Sequence, residues 1–158
     1  MFVKEVRKDN LVCRVYANRD EMGKAAAKDI AAAIKEVLKE TPVCNMIFAA
    51  APSQNEVLAA VASDPSIDFS RVNAFHMDEY IGLSADAPQG FGNFLTEHLF
   101  GRLPFGQVFR LDPSAKDPQA ECARYAALLK KYLKRCHFGF LSTILNLMSC
   151  LQGTRPLP

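Results

Sequence analysis

With 158 residues, nineteen basic and seventeen acidic, the chain carries a net charge of +2, and its charges are interspersed rather than gathered into the basic patch that nucleic acid requires. Its five cysteines, Cys13, Cys44, Cys122, Cys136 and Cys150, are odd in number and lack C-x-x-C spacing, which supports neither a zinc site nor a disulfide framework and fits a reducing, cytoplasmic compartment. Met1 to Lys8 places acids and bases where a secretory signal needs an apolar run, and no stretch reaches the length of a membrane span.

The chain then alternates strand and helix. Leu11 to Tyr16 is a short β-rich run. Asn18 with Glu21 three positions later makes a capping box for an alanine-rich helix through Lys39, on which Ile30, Ile34, Val37 and Leu38 share one face. Cys44 to Ala51 is an almost unbroken apolar run, as in a strand covered on both sides, and a helix follows near Asn55 to Ala62. The next strand is predicted over Arg71 to Met77, a helix over Gly92 to Phe100, and a strand over Gln107 to Leu111. Asp117-Pro118 opens a last helix with a buried stripe of Tyr125, Leu128, Leu129, Tyr132 and Leu133. This order predicts an α/β fold, a three-layer Rossmann-like parallel sheet flanked by helices. No internal repeat or low-complexity linker interrupts it.

The segment Val72 to Gly82 runs a strand straight into two adjacent carboxylates, Asp78 and Glu79. Open parallel sheets bind ligands at the carboxyl ends of their strands, where such a pair could supply a base to a small substrate. The alternative is a pair that caps a turn or faces water. His76 reads as a satisfied wall histidine, and His98 as a surface or packing residue of its helix.

Phe75-His76-Met77-Asp78-Glu79-Tyr80-Ile81-Gly82-Leu83, followed by Pro88-Gln89-Gly90-Phe91 and by Phe94 to Phe100, resembles the glucosamine-6-phosphate deaminase/isomerase family over roughly Val12 to Arg135. The Met-Asp-Glu-Tyr core sets it apart from the related 6-phosphogluconolactonases, which favour Asp-Glu-Arg. The resemblance implies a sugar-phosphate substrate, no metal and no organic cofactor, with a homo-oligomer as a possible assembly. It also implies that Asp78 is the proton-transfer base, with Glu79 in a structural or hydrogen-bonding role. Partial burial beside Phe75, Met77 and Tyr80 is expected to raise the pKa of Asp78 toward the working range.

Substrate phosphate is expected at the turn after the Cys44–Ala51 strand, where backbone N–H groups and a helix N-terminus favour an anion. Relatives place a glycine- and threonine-rich loop there, whereas this chain offers the side-chain donors of Ser53, Gln54 and Asn55. Pro52 removes one backbone donor and Glu56 adds a negative charge. The competing reading is a plain helix cap made by Ser53. After Arg135 the family's aspartate, histidine and glutamate for ring opening have no match. From Cys136 onward Arg155 is the only Lys, Arg, Asp or Glu. Residues 1–135 therefore read as the N-terminal part of a deaminase/isomerase domain, and 136–158 as an aberrant apolar tail from truncation or a frame change, in which His137 carries little weight. The expected function is deamination of an amino-sugar phosphate, impaired in this chain. The alternatives are a non-catalytic sugar-phosphate-binding or subunit-interaction protein and, behind it, a lactonase.

Overall fold

The computed structural model describes residues 1–132. Leu133, His137 and the 136–158 segment lie outside the described residues.

The chain opens with a hairpin. Strand β1 (Phe2–Lys8) pairs antiparallel with β2 (Leu11–Tyr16) around Asp9-Asn10, Asp9 taking φ 53°. The predicted Leu11–Tyr16 strand exists, but in this separate two-stranded sheet, and its partner β1 was not foreseen. Lys4, Glu5, Arg7 and Lys8 mask the β1 pattern because all seven of its residues are exposed and no buried face imposes alternation.

Helix α1 (Arg19–Glu40) starts where expected: Asn18 Oδ1 accepts the N–H of Glu21 at 2.9 Å. The return half of the capping box is not made, since the Glu21 carboxylate lies 2.8 Å from the Met1 amine. Strands β3 (Cys44–Phe48), β4 (Val72–His76) and β5 (Gln107–Phe109) form a parallel sheet in that order, with Phe48 beside His76 and Phe75 beside Phe109.

Alternation along the strands sorts the core into two faces. Met46, Phe48, Val72 and Ala74 pack with Ile30 and Ile34 of α1 and with Leu58 and Val61 of α2 (Asn55–Ala62). Leu95, Leu99 and Phe100 join them from α3 (Phe91–Leu95) and the π-helical turn Thr96–Phe100 that continues it. The opposite face carries Phe75 and Phe109, which meet Tyr125 and Tyr132 of α4 (Pro118–Tyr132). Each fully buried side chain of the Phe75 or Leu95 type contributes about 2 kcal/mol of transfer free energy.

Two expectations change. β3 is not buried on both sides: Cys44, Met46 and Phe48 are buried, but Asn45 and Ile47 are half-buried on the side met by the end of α4, where Asn45 Nδ2 donates to the Tyr132 carbonyl at 2.9 Å. The stripe on α4 narrows to Tyr125, with Leu128, Leu129 and Tyr132 half-buried. Among the described residues no helix is long and apolar enough to cross a membrane.

Candidate active site

The carboxyl end of β4 is fixed from below. Tyr125 donates its hydroxyl to the carbonyl of His76 at 2.7 Å and lies 3.2 Å from that of Phe109, so α4 holds the ends of β4 and β5 together. Burial pushes the Tyr125 hydroxyl up to about 12, which keeps it a donor. One residue on, the Met77 N–H donates to the Phe48 carbonyl at 3.0 Å, binding the chain to the end of β3.

From there the two carboxylates part. Asp78 leaves the sheet edge and is exposed. Glu79 turns back under the chain, and its side chain is only 3% exposed. One of its oxygens accepts the N–H groups of Tyr80 (2.9 Å) and Phe91 (3.0 Å), and the other that of Gly92 (2.8 Å). Burial by itself would raise the Glu79 carboxyl. The N–H groups of Gly92, Tyr80 and Phe91 outweigh it and hold the group below the ordinary carboxylate range. The burial expected for Asp78 therefore falls on its neighbour, because the first turn of α3 offers unsatisfied donors that Glu79 can reach.

His76 sits between these features and is 1% exposed. Its Nδ1 accepts the Leu111 N–H at 3.4 Å, while Nε2 has no hydrogen-bond partner and stands 3.8 Å from a Glu79 oxygen. The expected wall histidine is thus only half satisfied. His98 packs as expected: its ring stacks on Phe94 and Nδ1 lies 2.8 Å from the Phe94 carbonyl.

The turn after β3 lies at the same sheet edge as Asp78, since Phe48 and His76 are register partners. Pro52–Gln54 form one 3-10 turn that leads into α2, and no side chain caps either start. The plain cap by Ser53 is therefore not made. Ser53 and Asn55 are exposed, whereas Gln54 lines a small apolar cavity with Met46, Phe48 and Leu58. The negative charge that Glu56 brings to this turn is met by Arg19, whose guanidinium grips it at 2.7 and 2.6 Å and also reaches the carbonyls of Pro52 and Ser53.

Sequence reading missed two glycine positions and one arginine. Gly82 takes φ +85° and donates to the Pro113 carbonyl at 2.9 Å, tying the loop after β4 to that after β5. Arg110, just beyond β5, donates to Asn93 Oδ1 (2.8 Å) and Thr96 Oγ1 (3.1 Å) and presses on Gly92, where a Cβ would fall 2.7 Å from its Nε. The glycine in Gln89-Gly90-Phe91-Gly92 was a signal of such close approach, but nothing in the sequence named Arg110 as its cause. Among the described residues no three His, Cys, Asp or Glu side chains gather in a metal-holding group.

A model of the glucosamine-6-phosphate isomerases/6-phosphogluconolactonase family matches residues 17–146. The chain belongs to that family. Family members similar to it include a glucosamine-6-phosphate deaminase of Lactobacillus delbrueckii subsp. bulgaricus, 35% identical over 115 residues that cover 73% of this chain and 47% of the relative. A glucosamine-6-phosphate deaminase of an Exiguobacterium species is 44% identical over 66 residues, 42% of this chain and 26% of the relative. Among solved structures, a monomeric glucosamine-6-phosphate deaminase superposes with a TM-score of 0.64 at 24% identity, covering 72% of this chain and 48% of that one. The 6-phosphogluconolactonase from Plasmodium vivax gives 0.68 at 19%, covering 82% and 47%. At such identities the structural likeness establishes the fold, which both branches of the family share. The chain spans about half the length, or less, of these relatives.

Proposed function

We propose that this chain carries the proton-transfer side of a glucosamine-6-phosphate deaminase/isomerase site, with Asp78 as the base, Glu79 positioning it, and Ser53, Gln54 and Asn55 receiving the substrate phosphate. The observation that carries the reading is the division of labour in Asp78-Glu79: one carboxylate is exposed at the strand end, and the other is consumed by the helix behind it. The curated relatives are named for this activity.

The chemistry suits such a base. A carboxylate that takes the C2 proton of the open-chain amino sugar becomes an acid, and it can return that proton to C1 on the same face. The resulting C2 iminium takes up water and releases ammonia, leaving the ketose phosphate. Gln54, which borders the cavity under the turn, is expected to act from its edge, and Ser53 and Asn55 directly. Residues 1–135 form the sugar-phosphate unit in this reading, and the protein is cytoplasmic. Among the described residues Cys13 and Cys122 are exposed free thiols, which suits a reducing compartment.

The test is solvent-deuterium incorporation at C2 of glucosamine 6-phosphate, followed by NMR. Asp78→Asn should abolish it, because an amide does not accept that proton, and equal exchange in variant and parent would end the assignment. A second reading is a non-catalytic sugar-phosphate-binding protein. Phosphate-dependent binding without any C2 exchange would select it.

A further inference from the structure

We propose that His76 is a positioning residue for Asp78: its Nε2–H, set by the Leu111 N–H on Nδ1, faces Glu79 and holds that carboxylate on the first turn of α3. The proposal deepens the Asp78 reading and rests on it for its catalytic consequence, though not for its geometry.

Three observations meet at this point. First, the ring is 1% exposed and its Nδ1 accepts a backbone N–H, so the hydrogen of the neutral imidazole belongs on Nε2. Second, Nε2 is the one fully buried side-chain nitrogen or oxygen among the described residues without a hydrogen-bond partner. A buried N–H left so is destabilising unless something nearby compensates it. Third, the compensating group is in place. A Glu79 oxygen lies 3.8 Å away, beyond hydrogen-bond length yet close enough for an N–H dipole to act on an ionised carboxylate in a dry setting.

Sequence order gives the contact its consequence. Asp78 lies between two anchored neighbours: Met77, whose N–H donates to the Phe48 carbonyl, and Glu79, whose carboxylate accepts the N–H groups at the start of α3. If the carboxylate of Glu79 leaves Gly92, the anchor on the C-terminal side of Asp78 is weakened. Other charged groups bear on the ring: Asp78 favours its protonated form and Arg110 opposes it, while burial keeps it neutral. Arg110 is itself committed to Asn93 and Thr96, and the Glu79 oxygen stands 3.8 Å from the imidazole Nε2.

The experiment compares His76→Phe, which keeps the ring volume without a donor, with His76→Gln, whose amide nitrogen falls near the place of Nε2. Carboxyl 13C NMR of Glu79 and the amide signals of Phe91 and Gly92 are followed against pH, together with deuterium incorporation at C2 of glucosamine 6-phosphate. In the Phe variant the Glu79 titration should move upward and C2 exchange should fall about tenfold or more with sugar-phosphate affinity unchanged, and Gln should restore both. Nitrogen-15 shifts in the unaltered protein should show Nε2 protonated and Nδ1 bare, a readout that survives if the Phe variant does not fold. The opposite tautomer, or a Glu79 titration identical in parent and Phe variant, would overturn the inference. Loss of C2 exchange from the parent itself, with the Glu79 shift still present, would instead sink the Asp78 reading and leave the His76 contact standing.

Discussion

Between Asp78 and Glu79, local sequence assigns burial to the wrong one of two adjacent side chains. Asp78 was expected to be the half-buried acid, because Phe75, Met77 and Tyr80 surround the pair. In the folded chain Tyr80 is 52% exposed with its ring against Phe91, and Glu79 is the buried member. Replacing it isolates the hydrogen bonds from the shape. Glu79→Gln leaves at least one of the Tyr80, Phe91 and Gly92 N–H groups facing an amide instead of an oxygen and removes the charge that strengthens the rest. The expected loss is about 2 kcal/mol, read as a lower urea midpoint with an unchanged slope. A midpoint equal to the parent's would mean that water satisfies those donors as well as the carboxylate does.

Among the elements, the helix and strand cores were legible because their side-chain period is local. Asn18, the Ile30/Ile34 face, α2 at Asn55–Ala62 and Pro118 at the start of α4 all lie where residue spacing puts them. What spacing does not encode is contact between elements. Gly23 is one such case: a Cβ there would fall 2.7 Å from that of Glu56, so α1 and α2 approach at a glycine that reads in sequence as a mere interruption. The Arg19–Glu56 clamp follows from the same approach, and it leaves the β3–α2 turn with its own acid neutralised and its side-chain donors Ser53 and Asn55 outward. Glucosamine 6-phosphate should accordingly bind more tightly than glucosamine, and Ser53→Ala should narrow that gap by about threefold to tenfold, the worth of a hydrogen bond to a charged group at an exposed site. Calorimetric titration with equal affinity for the two sugars would return the turn to a purely structural role.

For the whole molecule, two buried groups make stability depend on pH in one direction. His76 is held below its ordinary value of 6.5 chiefly by burial, and Glu79 below its ordinary 4.5 by the N–H groups that outweigh burial. In both cases the unfolded chain binds the proton more readily, so the stabilisation is complete above the ordinary value and is lost as pH falls. The urea midpoint should hold steady down to about pH 7, decline as His76 is titrated in the unfolded chain, and decline further below the ordinary value of Glu79. His76→Gln should remove the first stage alone, and a midpoint that rises on acidification would contradict both assignments. Sequence by itself determined the parts of this protein: the strand-helix alternation, the family motif around Asp78 and the polar residues of the turn after β3, because each is written in neighbours a few positions apart. Only the tertiary structure decided which of two adjacent carboxylates is buried, that Leu11–Tyr16 belongs to a hairpin outside the parallel sheet, and that a histidine nitrogen is left facing Glu79. Those outcomes depend on donors and surfaces brought from residues such as Phe91, Gly92 and Leu111, whose distance along the chain hides them from any local pattern.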